Sequence, residues 1–320
     1  MPLDALYCRC FVSKGGDMSA EVFNDFLFKG PLQKLSRGEL LIQLQLYHAD
    51  FEGLDAVTLS RWMNRKTVPS FEKQILIALA TKTQKELLSS YKGYTFSTSK
   101  TLDRVYRRYL SEIDSSYWSI LDDDQVQVCM TILKWDEYIK LTGKIRNKVP
   151  FLKTIQLEKE EKSLNPGLIR FFYILDLEGR LLSFTGVGHD FQCFSNVLEV
   201  NEKDLNQSTI GLFSFYRTSK HMQFLTGLLF NYLFLGSNCI SHCIPARGKA
   251  SMQMIEEMKL DFLMVSPGEK NVGNYYYYKK DVHKLLGQSI CFQAMLDTNM
   301  WYGDLNEKKD DFLKIVFDEA

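Results

Sequence analysis

The chain has 320 residues, 45% of them hydrophobic, which excludes wholesale disorder and leaves room for two domains or one large one. Its 39 basic and 39 acidic residues cancel, so it lacks the overall basic character of a general nucleic-acid binder. The longest apolar stretch, 224–235, is shorter than the ~20 residues of a membrane-spanning helix and predicts a buried helix instead.

Residues 5–12 read as a short strand ended by Gly15-Gly16-Asp17. Ser19 suits the cap of a helix through Glu21, Val22, Phe23, Phe26 and Leu27, which Gly30-Pro31 stops. Ser36 with Glu39 three residues on is a capping-box pattern, ahead of an inward stripe of Leu40, Leu41 and Leu44, with Tyr47 as a further member. Residues 50–53 form a turn, for which Gly53 is suited. Residues 57–63 make a short helix with small and polar groups on its outer face, and 71–81 a further helix with Ile75, Leu76 and Leu79 at helical spacing.

The pattern Leu35-Ser36-x-x-Glu39-Leu40-Leu41, then Leu54-x-x-Val57-Thr58-Leu59-Ser60-Arg61-Trp62, then Pro69-Ser70 and Leu76-x-x-Leu79-Ala80 resembles the Cro-repressor (XRE) type of helix-turn-helix over roughly residues 20–82. The resemblance implies a second helix that enters a DNA major groove, and binding as a homodimer to two half-sites. Asp55, Ala56, Thr58 and Arg61 are then the candidates for base edges, and Arg65, Lys66 and Ser70 for phosphates; Ser60 fits either set. Leu54, Val57, Leu59 and Trp62 are expected in the core. One departure is that the connection over 46–53 is longer than the usual tight turn. The charge distribution agrees with DNA as a partner: residues 61–109 hold eleven Lys and Arg against three acids, a local charge of +8. The last twenty residues carry six acids against three lysines. A solvated helical surface is the plainer explanation of the basic run.

The polar stretch 81–99 reads as a linker, followed by helix at 104–110, a strand at 126–131 and an amphipathic basic helix at 135–148. This divides the chain into a helix-turn-helix domain at 1–85, a linker and connecting helix at 86–110, and a larger α/β domain at 111–320. The fold class is α/β overall, with an all-α N-terminal domain. Residues 168–177 and 181–188 are two strands joined by Glu178-Gly179-Arg180, a hairpin signal. Strands follow at 210–216, 239–244 and 275–279, with helices at 219–235 and 248–260, and 197–200 as a loop or short strand.

Strand, hairpin, strand, helix, strand, helix, strand around a central mixed sheet resembles the GNAT acetyltransferase fold, best over 210–262. The resemblance implies a cofactor pyrophosphate at a helix N-terminus, which here falls on Arg217, Thr218, Ser219 and Lys220. That segment lacks the family's glycines, and Glu257 stands where a tyrosine general acid is usual, so enzymatic acyl transfer is the less favoured expectation and no cofactor is expected. A helix cap with two solvated cations is the plainer reading of the same residues.

Other constellations carry less. His189-Asp190 fits a base with an orienting carboxylate, or simply a loop; Asp122-Asp123-Asp124 fits an acidic turn. Two of Tyr275 to Tyr278 are expected to be buried by strand alternation, and two to line a pocket or a dimer face. The seven cysteines include no CxxC pair, and Cys239, His242 and Cys243 fall short of a four-ligand zinc set, so no metal is expected. The odd cysteine number and an N-terminus without signal-peptide pattern predict a cytoplasmic location. The favoured function is a sequence-specific DNA-binding transcriptional regulator whose C-terminal domain binds a small-molecule or acyl ligand or dimerises, with no membrane partner. The alternatives are an acyl-CoA-dependent N-acyltransferase carrying a helix-turn-helix, and a protein-interaction module of a phage-defence system.

Overall fold

The computed structural model describes residues 22, 23, 26, 32, 35–115, 126–146, 168–188, 207–212, 214–266 and 274–307. The expected strand at 5–12, the Ser19 cap, the Gly30-Pro31 stop, the acidic turn at 122–124, the His189-Asp190 pair and the segment 197–200 lie outside the described residues.

The N-terminal layer is helical. Helix α1, Arg37–Tyr47, starts where the sequence signals it: Ser36 N–H donates to Glu39 Oε2 at 2.8 Å, and Glu39 N–H donates to Ser36 Oγ at 3.3 Å. Leu40 and Leu44 are its buried stripe. The connection to the next helix contains a 3-10 turn, Ala49–Phe51, capped by His48 and anchored by the buried Phe51. Gly53 has an ordinary backbone conformation and open space around it, so the turn does not depend on glycine there. Helix α2, Ala56–Met63, buries Leu59 and Trp62. Helix α3, Phe71–Thr81, is buried along most of its length. Two side-chain amides tie the layer together: Gln43 Nε2 donates to the Ala80 carbonyl and Gln45 Nε2 to the Leu54 carbonyl, both at 2.7 Å.

The stretch expected as linker is structured. Its Leu87 and Leu88 bury one face of helix α4, Gln84–Ser90. Tyr91, Tyr94 and Phe96 then pack with Phe71 into an aromatic cluster completed by Phe292, whose ring lies 4.5 Å from that of Phe71. Polar serine and threonine alternate here with aromatics, and the aromatics decide the packing. Helix α5, Lys100–Asp114, follows, capped by Ser99 Oγ.

The larger unit is built on a seven-stranded sheet in the order β1-β2-β3-β4-β5-β7-β6. Its strands are β1 Gln127–Lys134, β2 Leu168–Leu175, β3 Leu181–Gly188, β4 Ser208–Gly211, β5 Ser241–Ala246, β6 Asp261–Ser266 and β7 Tyr275–Asp281. Neighbours run antiparallel except β4 and β5, which pair in parallel with Thr209 opposite His242. The strand expected over 210–216 ends at Gly211, and Phe215 makes only an isolated bridge to Phe184.

Strand β2 is apolar on both faces because both are covered. Phe172 and Ile174 face a core shared with α7, Ser219–Asn231, and α10, Ser289–Glu307. Ile169, Phe171 and Tyr173 face a second core with Trp135 and Tyr138 of α6, Trp135–Arg146. A π turn, Tyr232–Gly236, ends α7; α8, Lys249–Glu257, and α9, Val282–Leu286, complete the described elements. Helices α7 and α10 cross closely at Gly227, where an added Cβ would lie 2.6 Å from Thr298 Oγ1 and would also strike the Ala294 carbonyl.

The first core continues without interruption into the N-terminal layer, through Phe71, Tyr91 and Phe292. Phe96 N–H also donates to Gln293 Oε1 at 3.0 Å. Among the described residues no helix is long and apolar enough to cross a membrane.

Candidate functional site

Helix α2 is held by one face and exposed on the other. Leu59 and Trp62 are anchored in the core with Leu54 just before the helix. Ala56, Val57 and Arg61 are exposed, and Thr58 and Ser60 are half-buried. Val57 was expected in the core and is 60% exposed. The reason is helical geometry: at 100° per residue, Val57 lies about 200° from Leu59, on the opposite side.

Asp55 has a structural task. It is the N-cap of α2, and its carboxylate accepts the Thr58 N–H at 2.5 Å. That backbone hydrogen bond holds its carboxyl below the usual carboxylate range. Ser60 Oγ accepts from Asn64 Nδ2 at 3.1 Å, so part of its hydrogen-bonding capacity is used within the helix. Arg65 and Lys66 are exposed in the turn after α2, with Arg65 in the left-handed region at φ 58°. That turn is fastened to the helix by Lys66 N–H, which donates to the Arg61 carbonyl at 2.9 Å. Ser70 is the exposed N-cap residue of α3 and makes no side-chain cap bond. The remaining cations of the basic run are spread over α3, α4, the Lys92 turn and α5. Of these, Arg107 pairs with Asp103 and Arg108 with Glu112 along α5.

Arg217, Thr218, Ser219 and Lys220 come together at the N-terminus of α7, as expected, but its donors are engaged. Thr218 Oγ1 accepts from His221 N–H at 3.2 Å as the cap. The carboxylate of Asp114, from the end of α5, accepts Ser219 N–H at 2.7 Å and Ser219 Oγ–H at 2.6 Å. An internal anion thus sits where the helix dipole favours negative charge. Arg217 is buried, its N–H donating to Ser183 Oγ at 2.9 Å, and Lys220 is exposed. Glu257 is exposed at the end of α8.

A cavity of about 400 Å³ opens beside the parallel β4/β5 pair. It is walled by Tyr109 of α5, Met222 and Thr226 of α7, Met254 of α8, Ala294 of α10 and His242 of β5. His242 is 2% exposed. Its Nδ1 lies 2.9 Å from Thr209 Oγ1, whose own proton is directed at Cys239 Sγ, 3.7 Å away. With Nδ1 engaged by Thr209, Nε2 is the ring nitrogen left beside Gly211, another wall residue. Burial pushes the imidazole pKa down to about 3, so it is neutral at physiological pH.

In sequence His242 stands out only as a neighbour of Cys239 and Cys243, a set short of a zinc site. Strand alternation puts His242 toward the cavity and Cys243 toward the second core. Tyr277 and Tyr278 are both buried, because β7 is covered on both faces; Tyr277 adds to the cavity wall and Tyr276 is half-buried. Compared with known proteins, the chain matches no family model, no curated protein and no solved structure at a significant level.

Proposed function

We propose that this chain is a sequence-specific DNA-binding transcriptional regulator, in which α2 reads a major groove and the α/β unit binds a ligand or dimerises. The observation that carries this reading is the two-sidedness of α2. Leu59 and Trp62 fix the helix rigidly, while Arg61 stands on its exposed face beside the basic turn Arg65-Lys66. A short, anchored helix with an exposed guanidinium suits bidentate contact with a guanine edge, and the turn cations suit flanking phosphates. The XRE-type assignment belongs to this proposal, supported by the order of α1, turn, α2, turn and α3 with its capping box.

The GNAT-like assignment of the second unit is likewise part of the proposal, supported by the strand and helix order around a mixed sheet. Acyl transfer is disfavoured within it. Asp114 on the Ser219 donors would repel a pyrophosphate at that corner.

The test is a gel shift on a duplex selected by the full chain. Arg61→Ala is expected to weaken specific binding by ~1–3 kcal/mol while leaving the circular dichroism spectrum unchanged. Arg65→Ala and Lys66→Ala should instead weaken all duplexes alike and lower the salt slope by about 1 each. Unchanged affinity in Arg61→Ala would remove α2 as the reader.

A further inference from the structure

We infer that the β4/β5 cavity is a binding site for a largely apolar small molecule that donates one hydrogen bond to His242 Nε2. The volume of about 400 Å³ falls in the range of small-molecule sites. The wall is mostly hydrocarbon, aromatic ring and thioether, contributed by Met222, Met254, Ala294 and Tyr277. Such a wall stabilises an apolar body, with Arg247 as the charged residue of the lining.

Within it His242 is a fixed polar point. Pairing with Thr209 on the neighbouring strand sets the ring, and a ligand donor at Nε2 goes with the tautomer in which Nδ1–H donates to Thr209 Oγ1. An acceptor turned to an apolar cavity is costly while unmatched and favourable when a donor meets it. Burial keeps the imidazole uncharged, so its bond to a ligand is one between neutral groups. A hydroxyl or N–H on an aromatic or aliphatic body is therefore the matching chemistry. This inference is independent of DNA binding.

The probe is N-phenyl-1-naphthylamine, a neutral aromatic amine with one N–H that fluoresces on entering apolar sites. It is titrated into the full chain and competed with 1-benzylnaphthalene, in which a methylene replaces the N–H. Saturable fluorescence is expected, with the hydrocarbon binding about fivefold more weakly, the worth of one hydrogen bond. Met254→Trp, which fills the cavity from its α8 wall, is expected to abolish the signal. His242→Phe is expected to keep the fluorescence and erase the preference for the amine. The absence of saturable binding, equal affinity of the two probes, or full binding to Met254→Trp would each overturn the assignment. If His242→Phe does not fold, the probe pair on the unaltered chain decides alone.

Discussion

At the scale of single residues, position within the helix separates structural from reading roles in α2. Asp55 is adjacent to the proposed DNA surface, yet its carboxylate is committed to the Thr58 N–H. Serine also caps well. Asp55→Ser is therefore expected to bind DNA and melt as the parent does, whereas Asp55→Ala melts lower and binds more weakly because the first turn frays. A loss of sequence preference in Asp55→Ser would instead mark Asp55 as a base reader. The buried histidines give a pH signature. Burial lowers His242 to about 3 and His221 and His283 to about 4, so all three stay neutral in the folded chain, while an unfolded histidine titrates near ~6.5. Below that value the unfolded chain binds more protons, and stability falls as pH drops from about 6.5 toward about 4. Melting temperatures measured across that window should decline, with a shallower slope in His242→Phe; an unaltered slope in that variant places the dependence on other groups.

At the scale of elements, what was readable from sequence depended on how local the cause is. The start of α1 was legible because Ser36 and Glu39 satisfy each other's backbone within three residues. The β2–β3 hairpin was legible because Gly179, at φ 80°, marks its turn between two apolar runs. Helix α10 carried its own signal in Cys291, Phe292, Met295, Thr298 and Tyr302, a helical spacing of buried residues that polar neighbours obscured. Helix α4 was masked by serines, and β6 is an edge strand that pairs only with β7. The cavity was illegible for a different reason: its walls come from segments between Tyr106 and Ala294 that only the fold brings together. The α7/α10 crossing is the element-scale point of greatest sensitivity. Gly227→Ala gains intrinsic helix propensity but forces a methyl onto the Ala294 carbonyl and Thr298 Oγ1. Overpacking of ~1–3 kcal/mol should dominate, read as a lowered denaturation midpoint; a stabilised variant would show that the two helices separate freely.

At the scale of the whole molecule, the N-terminal helical layer and the α/β unit share one continuous apolar core. Phe292 sits at its junction, fully buried against Phe71, Tyr91 and Phe96. Phe292→Ala is expected to cost ~3–5 kcal/mol and to accelerate hydrogen exchange in α3 and α7 alike. Loss of protection confined to one side would mean that the two units unfold separately. This arrangement gives the proposed regulator a rigid mounting for α2, with the cavity and the reading helix both resting on elements that meet at α10. Whether α2 reads DNA is decided by selection of duplexes from a random pool by the full chain, run in parallel with Arg61→Ala. Enrichment of a short palindrome by the unaltered chain, and its loss in the variant, is the expected result. Recovery of no sequence above non-specific binding, or the same palindrome from both proteins, would contradict it.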